Sequence, residues 1–140
     1  MLRHLTKAAL MLLILATARS AGASEGLDSP WTLCREEAVQ VEQAHDLPPH
    51  LLSAIAMTES GRWHAQRAES LAWPWTVMAE GEGRFLPSKD AAIETVRELQ
   101  ARGVRNIDVG CMQVNLYHHP EAFDSLETAF DPAANVTYAA

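Results

Sequence analysis

Beyond its first 23 residues the sequence has no apolar run long enough to cross a bilayer. Its one long run, Ala8 to Ala16, has nine residues, fewer than the ~20 that a membrane-spanning helix needs. The run follows the basic residues Arg3 and Lys7 and precedes the small residues Ala21-Gly22-Ala23, an order typical of a secretory signal peptide. We therefore predict that residues 1–23 are cleaved off and that the mature protein is periplasmic or otherwise exported, without stable membrane insertion. The alternative is a retained membrane anchor.

Positive charge is scarce in the part that remains. The chain has 11 Lys and Arg against 18 Asp and Glu, and three of the 11 lie within residues 1–23, which leaves 8 positive and 18 negative side chains. A protein with a formal charge of −10 is repelled by nucleic acid and by anionic lipid. We therefore exclude nucleic acid as a partner and expect a neutral substrate, or one that is bound in a shaped cleft.

The sequence contains only two cysteines, Cys34 and Cys111. In an exported protein such a pair indicates a disulfide, because the compartment is oxidising. The bridge would stabilise the fold by roughly 4 kcal/mol under the chain-entropy model. The alternative is that both residues are free thiols, buried as small apolar side chains.

The spacings that hold metal ions are also missing. The chain has neither His-x-x-x-His nor Cys-x-x-Cys, which are common arrangements of zinc ligands. The histidines beyond the signal peptide are His45, His50, His64, His118 and His119. We predict no metal site and no cofactor.

The mature length fits one domain with a core of moderate size. We predict a flexible lead-in over residues 24–32 and a single domain over residues 33–140. Periodicity indicates a first helix from Leu33, with Glu42 facing water. The next helix, Pro49 to about Glu59, is apolar on most sides and is therefore predicted to be buried.

The remaining elements are fewer and shorter. Ser88 is predicted to cap a helix that runs to about Arg102, and Asp131-Pro132 is predicted to begin another. Two β-prone runs within residues 73–86 predict a hairpin. The fold class is therefore predicted as mainly α, with one small β-hairpin.

Glu59 lies on an apolar face of the second helix, because it follows Leu52 by seven residues, Ile55 by four and Ala56 by three. A carboxyl group held there by burial would have a raised pKa, as a general acid requires. The alternative is that Glu59 extends into water at the end of the helix.

Three blocks of sequence carry a family resemblance. They are Glu59-Ser60-Gly61, the stretch Asp108-Val109-Gly110-Cys111-Met112-Gln113-Val114-Asn115, and Asp131-Pro132 with Asn135. In that order they resemble the lytic transglycosylase SLT domain, which is similar in fold to goose-type lysozyme. The resemblance spans Cys34 to Ala140.

The resemblance implies an activity on peptidoglycan glycan strands. The family cleaves the β-1,4 bond between N-acetylmuramic acid and N-acetylglucosamine without adding water, and leaves 1,6-anhydro-N-acetylmuramic acid. The position of its single general acid/base falls on Glu59, and Asp108 has a structural role. The expected function is thus that of a peptidoglycan lytic transglycosylase, a glycan-cleaving lyase.

The same blocks supply candidate groove residues. Met112 and Gln113 match the stretch that lines the sugar groove, and an amide can both donate to and accept from a sugar. Ser60 and Asn115 are further candidates for sugar binding. For each of the four, the alternative is a local structural role.

The chain departs from the family pattern in three places. Cys111 replaces an aliphatic residue, so it is available to tie this segment to Cys34. The stretch between Gly61 and Val104 is longer than in most relatives, and its Trp73 and Trp75 either stack on sugars or pack in the core. The family's Tyr-Asn segment would lie beyond Ala140, so we expect the domain to be incomplete at its C-terminus.

Two other functions stay open. The chain could be a muramidase that hydrolyses the same bond. It could also be a non-catalytic peptidoglycan-binding or accessory protein, with a secretion or flagellar apparatus as a possible partner.

Overall fold

A computed structural model describes residues 29–140. The predicted signal peptide and residues 24–28 of the predicted lead-in lie outside the described residues. In chain order the elements are α1 (Pro30–Ala44), α2 (Leu51–Ser60), β1 (Gly61–His64), β2 (Glu69–Ala72), β3 (Thr76–Ala79), β4 (Glu82–Phe85), α3 (Lys89–Ala101), β5 (Ile107–Val109), β6 (Val114–Asn115), α4 (Leu126–Ala129) and α5 (Pro132–Ala139).

The prediction of a mainly α fold with one small hairpin is wrong. Of the described residues, 45% are helical and 19% lie in strands, and the strands form two antiparallel sheets of 2 and 4 strands. Strand β6 was missed because its 2 residues are too few for alternating hydrophobicity to be visible. The first hairpin was missed because its strands are largely polar.

The larger sheet has the strand order β4-β3-β5-β6. Its β3–β4 pair is the predicted hairpin, and its two-residue turn, Glu80-Gly81, has positive φ at both positions, which suits the twist of the strands. On its other side β3 pairs with β5, in the register Val77 opposite Val109. This long-range pairing brings β5 and the turn that follows it beside the start of β3.

Helix α1 begins at Pro30, inside the predicted lead-in. Its Glu42 was predicted to face water but is buried, with 5% of its surface exposed. The carboxylate accepts hydrogen bonds from the backbone N–H of His50 (2.8 Å) and of Ser53 (3.1 Å). Glu42 thus satisfies N–H groups at the beginning of α2 that have no partner within their own helix.

Helix α2 was predicted to be buried on most sides, and this is also wrong. Only Leu52, Ala56 and Ser60 are buried, along one stripe that faces the core. Three large apolar side chains remain 39–50% exposed: Leu51, Ile55 and Met57. The helix therefore lies on the surface, and both of its flanks reach solvent.

The core consists of two clusters. One packs α1, α2 and α5 around Cys34, Ala38, Leu52, Cys111 and Val136. The other packs α3 and α4 against the larger sheet around Val77, Val96, Ile107, Val109 and Phe130. The two cysteines form the disulfide Cys34–Cys111, with a Cα–Cα distance of 5.6 Å. No helix within residues 29–140 has both the length and the apolar character that crossing a membrane would require.

Candidate active site

Glu59 lies in the last turn of α2 with its side chain exposed to solvent. Of the two placements that the sequence left open, the structure therefore has the one in which Glu59 extends into water. Within residues 29–140 it makes no hydrogen bond and no ion pair. The chain turns into β1 directly after Ser60, and this path requires glycine at position 61, because a Cβ there would overlap the carbonyl oxygen of Met57. Glu59 thus projects freely where a helix and a hairpin meet.

Ser60, the neighbour of Glu59, is buried. Its hydroxyl oxygen lies 2.8 Å from the carbonyl oxygen of Cys111 and 2.9 Å from that of Ala56, and the two carbonyls share its one hydrogen. The backbone carbonyl of Ser60 accepts a hydrogen bond from the N–H of Trp73 at 2.9 Å. Both polar groups of Ser60 are thus used inside the fold, so the structure favours its structural alternative over sugar binding.

The turn after β5 carries the second block of the resemblance, and the third block holds it in place. Asn135 is buried, and its side-chain oxygen accepts from the N–H of Met112 at 2.8 Å. Its amide N–H₂ donates to the carbonyls of Val109 and Ala129, each at 3.0 Å. The predicted helix start at Asp131-Pro132 places Asn135, because the Asp131 carboxylate caps α5 through the N–H of Ala134.

Gln113 lies half-buried at the end of this turn, and its backbone has a positive φ of 49°. Its Nε2 donates to the carbonyl of Gly110 (2.9 Å) and to that of Thr76 (3.2 Å). Both amide hydrogens are therefore occupied. Among the described residues its Oε1 has no donor, so the side chain can accept a hydrogen bond from a ligand but has none left to donate.

Met112 and Asn115 have roles inside the fold. Met112 is buried in the cluster around the disulfide. Asn115 donates to the carboxylate of Asp108 at 2.7 Å and accepts from the N–H groups of Tyr117 and His118. The geometry therefore supports the structural alternative for both residues, and it occupies Asp108 with an internal hydrogen bond.

One tryptophan is buried, two are half-buried and one is exposed. Trp73 is buried, donates from Nε1 to the carbonyl of Leu86 and stacks on the guanidinium of Arg62. Trp75 packs edge-on against Trp73. Trp63, in contrast, is 62% exposed on β1, four residues after Glu59. Trp63 is not among the candidate residues named from the sequence. The signal that could have identified its exposure is the alternation of a strand, in which Trp63 and the buried His64 face opposite sides.

Within residues 29–140, no three His, Cys, Asp or Glu side chains lie together in a way that could hold a metal ion. No protein-family model, curated protein or solved structure matches the chain. The candidate site therefore rests on its own geometry and on the three sequence blocks that meet in it.

Proposed function

We propose that the chain is a peptidoglycan lytic transglycosylase in which Glu59 is the single general acid/base. One observation carries the proposal. The three blocks that suggested the family, which are far apart in sequence, are joined in space: Ser60 donates to Cys111 at 2.8 Å, and Asn135 binds Met112 at 2.8 Å. Glu59 is the acidic side chain that projects into solvent from this junction.

The proposed chemistry needs one carboxyl group in two steps. Protonated Glu59 donates its proton to the glycosidic oxygen, and the N-acetylglucosamine leaves with a free C4 hydroxyl. The carboxylate of Glu59 then takes the proton from the C6 hydroxyl of the muramoyl residue while that oxygen bonds to C1. The ring closes as the 1,6-anhydro sugar, Glu59 is protonated again, and no water is consumed.

The other acidic side chains of the three blocks support a mechanism with one carboxylate. Hydrolytic glycosidases usually place two carboxyl groups beside the scissile bond. Here Asp108 is bound to Asn115, and Asp131 caps α5. Both carboxylates serve the fold, so Glu59 is left as the acid and base of the site.

Gln113 is the best candidate for contact with the sugar. Its free Oε1 can accept a hydrogen bond from a hydroxyl or from the N–H of an N-acetyl group. Its two internal hydrogen bonds fix the direction of that oxygen before substrate binds, which lowers the entropic cost of the contact.

A disulfide suits a protein that acts outside the cytoplasm, where peptidoglycan is found. We therefore propose a periplasmic or otherwise exported location, with glycan strands as the partner.

The test is turnover of purified peptidoglycan, with the products identified by mass spectrometry. We expect anhydro-muramoyl ends from the wild-type chain and at least a hundredfold less product from Glu59→Gln. Glu94→Gln, which neutralises an exposed glutamate on α3, is the matched control and should retain full activity.

The outcomes separate the alternatives. Products with reducing ends that have gained one water would identify a muramidase instead of a transglycosylase. Equal activity of the wild-type chain and Glu59→Gln, or glycan binding without turnover, would favour the non-catalytic accessory protein.

A further inference from the structure

We propose that the Cys34–Cys111 disulfide positions Glu59, and that the Ser60 hydroxyl connects the two. This inference rests on the proposed function. It states that three buried residues, which do not contact the sugar, affect the rate of catalysis. Neither cysteine nor Ser60 touches substrate in this proposal, because all three are buried. They act through the backbone of α2.

The connection consists of two short links. The disulfide fixes Cys111 to α1 at Cys34. The Cys111 carbonyl oxygen then accepts from the Ser60 hydroxyl at 2.8 Å, across 51 residues of sequence. Glu59 precedes Ser60, so the position of its backbone at the helix end is set by this hydrogen bond and by the Trp73 N–H that holds the Ser60 carbonyl.

The position of Glu59 needs such support because α2 has little cover near its end. Of its last four residues, Met57, Thr58 and Glu59 are exposed and only Ser60 is buried. Helix ends fray, since their last carbonyls have no partner within the helix. The contact between Ser60 and Cys111 therefore restrains the depth and direction of the last turn, together with the Trp73 N–H and the pairing of β1 with β2.

The rest of the loop has its own restraints and does not depend on the disulfide. Gly110 donates from its N–H to the carbonyl of Thr76 at 3.0 Å, and Met112 is held by Asn135. Helix α1 also packs directly on α2 and α5. Without the disulfide the fold should persist. The Cys111 carbonyl is then restrained only through its peptide group, whose Met112 N–H is bound by Asn135, so we expect it to pivot away from Ser60. The effect of losing the disulfide should therefore be on catalysis as well as on stability.

The experiment measures kcat and KM on purified peptidoglycan for four variants of the full chain: Ser60→Ala, Ser60→Thr, Cys34→Ala with Cys111→Ala, and all three alanine changes together. A small displacement of a catalytic group can lower the rate by about a hundredfold. We expect Ser60→Ala and the double cysteine variant each to lower kcat by roughly ten- to a hundredfold, with KM changed by less than about twofold. Ser60→Thr keeps the hydroxyl, so its kcat should be much closer to the wild-type value than that of Ser60→Ala.

The combined variant is the sharpest part of the test. If the disulfide acts through Ser60, the serine change should lower kcat no further once the cysteines are gone, because interacting residues are not additive. If the serine change and the cysteine changes lower kcat by factors that multiply in the combined variant, they act independently and the proposal is overturned. Val96→Ala, in the other core cluster, controls for lost stability and should leave kcat near the wild-type value.

Failure of this inference differs from failure of the proposed function. If Glu59→Gln is as active as the wild-type chain, both are overturned. If Glu59→Gln is inactive while Ser60→Ala and the double cysteine variant keep wild-type kcat, the function stands and the positioning role is wrong. Circular dichroism and the melting temperature show which variants are folded. A double cysteine variant that does not fold would overturn the positioning role of the disulfide, because the bridge would then be required for the fold itself.

Discussion

Gly110 packs directly against the side chain of Asn135, so closely that a Cβ at Gly110 would lie 2.6 Å from Cγ of the asparagine. The contact joins two of the three sequence blocks at the point where the chain leaves β5. It explains why one block needs a residue without a side chain and why the other needs a short amide. Each residue leaves room for the other.

Gly110→Ala should therefore be much more costly than an ordinary glycine substitution. Gly110 has a φ of +82° and Gly103 has a φ of +85°, but Gly103 has nothing within 4 Å of the position of a Cβ. We expect Gly103→Ala to lower the free energy of unfolding by about 1 kcal/mol through backbone strain alone. Gly110→Ala should lower it by about 3 kcal/mol, since overpacking adds to the strain. Denaturant unfolding measures both, and equal losses would contradict the packing argument.

Asn135→Ala should destabilise the protein through unsatisfied polar groups. The substitution leaves the N–H of Met112 and the carbonyls of Val109 and Ala129 buried without this partner. We expect a loss of about 3 kcal/mol and faster hydrogen exchange at the Met112 amide than at amides of α3. Asn106→Ala, at an exposed asparagine, should change the stability by less than about 0.5 kcal/mol. Unchanged exchange at Met112 would rule out the proposed role of Asn135.

Glu42 should make stability depend on pH in the acid range. Burial raises its pKa, but hydrogen bonds from the backbone N–H groups of Ser53, His50 and Leu52 outweigh that effect, so the pKa lies below its ordinary value. The stability that the Glu42 carboxylate contributes is therefore fully present above the pKa of an unfolded glutamate, about 4.3. It is lost as the pH falls through the lowered pKa of the folded state.

Melting temperatures of the wild-type chain and of Glu42→Gln, measured from pH 7 down to pH 2, test this dependence. The wild-type chain should melt at a higher temperature than Glu42→Gln at pH 7. This difference in melting temperature should become smaller once the pH drops below about 4. Glu94→Gln, at an exposed position, should show no such narrowing. If the difference between the wild-type chain and Glu42→Gln is the same at every pH, Glu42 is not the source of the pH dependence.

The two tryptophans Trp73 and Trp63 should respond in opposite ways to replacement by alanine. Trp73 is 5% exposed and packs against Trp31, Trp75 and Arg62, so its loss should cost about 3–5 kcal/mol of stability. Trp63 is 62% exposed, and its loss should leave the melting temperature within about 1 °C of the wild-type value. A large drop for Trp63→Ala would mean that its ring is covered in solution.

Local signals in the sequence predicted the capped helices well. Ser88 accepts from the N–H of Ala91, and Asp131 from that of Ala134, as their residue types indicated. These caps depend on neighbours within a few residues. The hairpin turn at Glu80-Gly81 is local in the same sense.

The errors came from contacts between distant parts of the chain. Glu42 was assigned to water because helical periodicity cannot show that the start of the next helix will cover it. Ile55 and Met57 were assigned to the core because apolar composition cannot show whether a surface will find a partner. For the same reason the sequence left Ser60 open between sugar binding and a structural role, because it cannot show that the hydroxyl will bind a carbonyl 51 residues away.

The disulfide also determines what happens when the chain is cut. Its two cysteines are separated by 77 positions, and between them lie α2, both hairpins, α3 and β5. A protease that nicks the exposed turn at residues 65–68 therefore releases no fragment, because the two pieces stay covalently linked through Cys34 and Cys111. The nicked protein would run as one band without reductant and as two bands after reduction.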